Sequence, residues 1–175
     1  MAHLVTRIRF VRLLPFAALA LCLVLIGACT EEQAENDLVK VTIKGKVFKL
    51  EPALDHATRV VGLGGRESLT ENGGMIFVFK RAQRQAFYMK DCLMDIDIAY
   101  LDDSGRVTAV YTMPKEELKR EDETMLQYEL RLKRYPSRFP SSIALEVRAG
   151  TFADLALEEG DVIDLDIAGL KARTE

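Results

Sequence analysis

Histidine and cysteine are scarce in this chain: 175 residues hold two histidines and three cysteines. Even these thin out once the amino terminus is read. Arg7, Arg9 and Arg12 precede a stretch from Leu13 to Ala28 that carries no charge. Basic residues, a short apolar core and then small residues form the layout of a secretory signal. The chain lacks a long hydrophobic run. The apolar core spans 16 residues, against about 20 for a membrane-spanning helix, and Pro15 disfavours an unbroken helix within it. Cleavage after Ala28 would remove His3 and Cys22, leaving His56 as the only histidine and Cys92 as the only cysteine beyond position 29. That excludes an internal disulfide and a multi-histidine zinc site in the exported part, and allows a single Cys-His pair.

The run ends Leu25-Ile26-Gly27-Ala28-Cys29. An aliphatic residue, two small residues and a cysteine resemble the lipobox of bacterial lipoproteins. The resemblance implies a diacylglyceryl group on the Cys29 thiol and cleavage just before it. Cys22 follows bulky Leu21 and competes poorly. Two acyl chains anchor firmly because each buried methylene contributes about 0.8 kcal/mol. Thr30, rather than aspartate, follows the cysteine, which by the same resemblance directs the protein to the periplasmic face of the outer membrane in a Gram-negative cell. The expected organisation is a removed signal over 1–28, a lipidated cysteine and flexible acidic tether over 29–38, and one globular domain over 39–175. Loss of the three signal arginines takes the net charge from −3 to −6. An acidic chain without a clustered basic face argues against nucleic acid as a partner.

Past the tether, apolar and polar residues alternate from Val39 to Leu50 around Gly45, the pattern of two strands and a turn. Asp55 reads as the cap of a short helix running from His56 to about Leu63. Met75 to Phe79 is a compact buried strand after Asn72-Gly73-Gly74, where glycine suits a turn. Strands over 87–89, 95–101 and 106–113 follow, the last two forming a hairpin around Asp102-Asp103-Ser104-Gly105. Lys115 to Arg134 has an imperfect helical pattern. Ile143 to Val147 is a strand, Thr151 to Leu157 a short helix, and Val162 to Ile167 a last strand. Together these predict an α+β domain: a small, β-rich, barrel-like mixed sheet with two or three short helices.

Several separated pieces resemble the uncharacterised family called domain of unknown function 192. They are Arg59-Val60-Val61-Gly62-Leu63-Gly64-Gly65-Arg66, Gly74-Met75-Ile76-Phe77-Val78-Phe79, Phe87-Tyr88-Met89-Lys90-Asp91-Cys92, Asp97-Ile98-Ala99-Tyr100-Leu101-Asp102, Tyr135-Pro136-Ser137 and Ala144-Leu145-Glu146-Val147-Arg148-Ala149-Gly150. Their order and spacing agree over about residues 39 to 170. The chain departs from the family at Gly64, where methionine is common, at Tyr88, often tryptophan, at Asp91-Cys92, often Asn-Thr, and at Asp95-Ile96, commonly Pro-Leu. The resemblance implies a small β-rich fold, often exported or lipid-anchored, and no established activity.

Candidate chemistry is sparse. Asp95 and Asp97 fall on one face of a strand about 7 Å apart, within the inverting-glycosidase range, although a solvated strand face gives the same spacing. Arg59, Arg66 and Lys90 supply cations that could face Asp97 and Glu146. The five residues Arg59, Arg66, Lys90, Asp97 and Glu146 form the candidate ligand cleft, or else an ion-pair network joining helix to sheet. Met89, Cys92 and Met94 are soft sulfur ligands, but on a strand Met89 faces away from the other two, so core packing accounts for them. No metal or cofactor is expected, and Cys92 reads as a buried thiol rather than a reactive one. The preferred reading is a non-enzymatic envelope module that binds a partner protein, a polymer or a small polar ligand. The alternatives are a hydrolase of an envelope polymer using Asp97 with Asp95 or Glu146, and an assembly factor docking through residues 115–134. Cys29→Ser should release the domain from membranes or leave an unprocessed precursor in fractionated cells; unchanged processing to a membrane-bound form would contradict the anchor.

Overall fold

The computed structural model describes residues 37–175, which form one compact unit. The signal, Cys29 and most of the tether lie outside the described residues. Eight strands and four short helices follow in the order β1 (Val39–Ile43), β2 (Lys46–Ala53), α1 (His56–Val61), β3 (Gly73–Gln83), β4 (Ala86–Phe87), β5 (Ile96–Leu101), β6 (Val107–Met113), α2 (Met125–Arg131), β7 (Tyr135–Pro136), β8 (Ser141–Arg148), α3 (Thr151–Asp154) and α4 (Ile167–Ala172). The fold is therefore α+β and rich in strands.

Six strands form one mixed sheet in the order β1-β2-β3-β8-β5-β6, and β4 pairs with β7 separately. The expected barrel is not formed. β1 and β6 are the edges of an open sheet, and among the described residues no strand joins them. The segment expected as a last strand, Val162 to Ile167, makes only an isolated bridge between Val162 and Arg106 before turning into α4. β2 and β3 run parallel, with α1 in the connection between them. The other neighbours in the large sheet are antiparallel.

The sheet is buried on both faces, so its inner strands read as near-continuous apolar runs. On one face Val41, Phe48, Leu50, Ile76, Leu145 and Val147 pack against Phe152, Ile167 and Leu170 of the C-terminal helices. On the other, Phe77, Ile96, Ile98, Tyr100 and Ala144 pack against Leu63, Met89 and Tyr135. β8 lies between β3 and β5, and all of its residues but Arg148 are buried. Gly74 lets β3 and β8 close up at this point: a Cβ there would sit 2.1 Å from the Glu146 carbonyl oxygen. The glycine expected as a turn residue thus serves a close backbone approach.

Asp97 belongs to the first face. Its carboxylate accepts from Thr112 Oγ1 at 2.7 Å and from the Phe152 amide at 2.9 Å. It thereby joins β5, β6 and the start of α3, and two hydrogen bonds satisfy a buried acid. The second face is fixed by hydroxyls. Tyr100 OH donates to Tyr135 O at 2.6 Å and accepts from Phe87 N at 3.3 Å, tying the β4–β7 pair to β5. Tyr128 OH accepts from Asp91 N at 2.9 Å, which holds the 89–92 turn beneath α2. Asp91 sits at φ 57°, a left-handed conformation that aspartate tolerates better than most residues.

The long helix expected over 115–134 is reduced to the seven residues of α2. Thr124 and Gln127 form a reciprocal capping box that starts the helix late. Residues 115–120 have no regular structure, and Glu123 bonds back to the Arg120 amide and to Arg131. Arg131 holds the Glu123 carboxyl down to about 2. Among the described residues no helix is long and apolar enough to cross a membrane.

Candidate functional site

A pocket of about 250 Å³ opens between α1 with its following turn, the β4 segment and the 88–92 turn. The Asp55 side chain accepts from the Thr58 amide at 2.9 Å and starts α1. Gly62, at φ 53°, ends it; a Cβ there would meet the Phe77 ring at 3.4 Å. The helix end is therefore pressed onto β3, and Val60, Val61, Leu63 and Gly64 form one side of the pocket. Phe77 and Phe79 rise from β3, and Phe87 crosses both edge-on, at centroid distances of 4.8 and 6.4 Å. The walls are apolar and aromatic, as in most small-ligand sites.

Glu146 lies at the bottom. It stands on β8 on the same face as Ala144, opposite Met75 of β3 and Ile98 of β5 in register. It is 5% exposed and lines the pocket. No hydrogen bond or ion pair reaches its carboxyl group from the described residues. Burial alone pushes this carboxyl up from 4.5 to about 8. At neutral pH it is therefore largely a neutral acid.

Of the five residues expected to form a cleft, three line this pocket: Arg59, Lys90 and Glu146. Arg59 donates through Nη1 to Leu54 O at 2.6 Å and Val78 O at 3.1 Å and lies 5.4 Å from the Phe79 ring centre. No carboxylate pairs with it among the described residues. Lys90 is paired with Glu129 at 2.8 Å, and that bond raises its pKa. The other two do not join them. Arg66 grips both oxygens of Glu51, which holds the Glu51 carboxyl below its usual range, and it borders two other pockets, of about 290 and 360 Å³. Asp97 points to the opposite face of the sheet. Asp95 is exposed and accepts from the Lys115 amide at 2.8 Å. The paired-carboxylate arrangement of an inverting glycosidase is therefore not built from Asp95 and Asp97.

Three further residues line the pocket outside the expected cleft, and of these only Gln85 escapes sequence reasoning. Gln85 presents an Nε2 that is buried without a partner. His56 stands exposed at the rim. Cys92 lines the wall, and burial, then the neighbouring Glu146 and Asp91, pushes its thiol up to about 12. The thiol stays protonated and donates to Lys90 O at 3.5 Å, so the lone cysteine is not a nucleophile here. Among the described residues no group of three His, Cys, Asp or Glu is placed to hold a metal ion.

The model of the family domain of unknown function 192, described as an uncharacterised ACR, matches residues 39–165. Two solved structures share the fold. One is from Novosphingobium aromaticivorans DSM 12444, a protein of unknown function, at 26% identity and TM-score 0.58, covering 73% of this chain and 85% of that one. The other is from Sinorhizobium meliloti 1021, described as a "putative transcription regulator", at 22% identity and TM-score 0.57, covering 71% and 89%. No curated protein matches.

The raised Glu146 carboxyl makes stability depend on pH. The folded state binds this proton up to about pH 8, whereas the unfolded chain releases it near 4.5. Stability from this group is full below pH 4.5 and falls as pH rises to 8. The loss between pH 5 and pH 8 is on the order of 3 kcal/mol. The carboxylates held low by partners, such as Glu51 and Glu123, act only below about pH 4.5. Urea titrations of the wild type should show this decline, and Glu146→Gln should flatten it. An equal decline in the variant would show that another group is responsible.

Proposed function

Because the chain belongs to the uncharacterised family domain of unknown function 192, we propose from the geometry that it is a small-ligand-binding module, tethered in the cell envelope by a lipid on Cys29. The single observation that carries this reading is Glu146: a buried acid without a partner, at the bottom of an open pocket. A purely structural acid would be satisfied as Asp97 is, or replaced by an apolar residue at lower cost. An acid with no protein partner that meets solvent only through a pocket is open to a ligand that completes it. Binding is preferred to hydrolysis because the pocket offers one carboxyl, whereas two-carboxylate mechanisms need a second nearby. The pocket is smaller than the roughly 300–1,000 Å³ typical of drug-sized ligands, which favours a compact molecule.

A second reading has its own support. Leu118, Met125, Leu126 and Leu130 are exposed on and before α2, an apolar surface that a docking or assembly partner could cover.

Ligand-observed NMR on the full chain in detergent, with acetamide, ethanolamine, acetate and glycerol at millimolar concentration, tests the pocket. At least one probe should broaden with the wild type and lose that broadening with Glu146→Leu. The variant should fold at least as stably, since it removes an unpartnered buried acid. No broadening, or the same broadening with the variant, would overturn the reading.

A further inference from the structure

Two opposite chemistries line the pocket and neither is satisfied by the other. Glu146 has no partner, and its carboxyl is displaced by burial alone. Arg59 carries a permanent charge, spends only Nη1 on backbone carbonyls, and has no carboxylate partner among the described residues. If the two groups were in contact, the guanidinium would lower the Glu146 carboxyl, and no such effect acts on it. The remaining cation, Lys90, is already neutralised by Glu129. Gln85 Nε2 adds a buried N–H donor without an acceptor. Between these groups the walls are Leu63, Phe77 and Phe87.

A ligand that satisfies this set must bring acceptor oxygens for the guanidinium and the amide, a donor for Glu146, and a carbon skeleton for the walls. A simple anion could accept the Glu146 O–H but would leave its carbonyl oxygen without a donor. A simple cation would meet the unpaired charge of Arg59. Resting on the binding reading above, we propose that the pocket takes a small zwitterion, an ammonium and a carboxylate on an apolar skeleton, with its carboxylate on Arg59 and its ammonium on Glu146. As the ammonium enters, the Glu146 carboxyl gives its proton to solvent and becomes the counter-ion. Charge then balances at both ends, and Arg can offer two parallel bonds to the carboxylate.

The test is calorimetry on the full chain in detergent at pH 7. The probes are L-leucine and 5-aminopentanoate, with leucinamide lacking the carboxylate and 4-methylpentanoate lacking the amine. At least one zwitterion should bind tenfold or more tighter than both single-charge analogues. Its binding should release close to one proton at pH 6.5, read from buffers of different ionisation enthalpy, and far less at pH 9. Glu146→Gln should abolish both the proton release and the preference over 4-methylpentanoate. Arg59→Gln should abolish the preference over leucinamide, and Arg59→Lys, which keeps the charge, should retain much of it. If a single-charge analogue, or a neutral probe such as glycerol, binds as well as the zwitterions, the ligand class is wrong while the pocket stands. If none of these molecules binds the wild type, the zwitterion proposal fails, and the pocket reading is then decided by the acetamide, ethanolamine and acetate probes above.

Discussion

Glu146 sits on β8, between β3 and β5, with buried residues on either side of it in the register. A carboxylate in such surroundings must find a partner or hold a proton. Here it holds a proton, and the rest of the site follows from that constraint. The sheet on which it rests is kept rigid by dense packing on both faces. The close approach at Gly74 locks β3 against β8 beside it. Tyr100 and Tyr128 bind the β4–β7 pair and the 89–92 turn over the same face. The pocket floor is therefore set by the packed sheet.

The two buried acids of the sheet show how placement decides role. Asp97 and Val147 are paired in register, one residue along β8 from Glu146. One residue along a strand reverses the face. Asp97 thus lands beside Thr112 and the Phe152 amide, and becomes a tie between elements. Glu146 lands beneath α1 and becomes the open acid of the pocket. Proximity along the backbone brings the two close, but the sheet separates their side chains.

Much of the fold was legible in the residues. Alternation placed β1 and β2, the apolar runs placed the cores of β3 and β8, and Asp55 placed the start of α1. The failures have specific causes. Residues 115–134 carry helical composition, but the Thr124 capping box and the Glu123–Arg131 bonds leave only Met125–Arg131 helical. Val162 to Ile167 has strand character, yet Asp166 accepts from the Gly169 amide at 2.9 Å and starts α4 instead. Barrel closure was inferred from short strands, and short strands do not determine whether the edges meet. Arg59, Lys90 and Glu146 line one pocket, and each lies in a distinctive segment. Arg66 and Asp97 lie in equally distinctive segments and serve other bonds, since sequence shows which residues are unusual but not which way they face. Gln85 carries no sequence signal, because an orphaned amide exists only in three dimensions.

Everything proposed for the pocket depends on Glu146 being a buried acid without a protein partner. The most direct measurement is its own titration, followed by the carboxyl carbon resonance of Glu146 in carbon-13-labelled protein and assigned by its loss in Glu146→Gln. A buried, partnerless Glu146 gives a single transition near pH 8. A transition near 4.5, the range of a solvated or partnered glutamate, would contradict it.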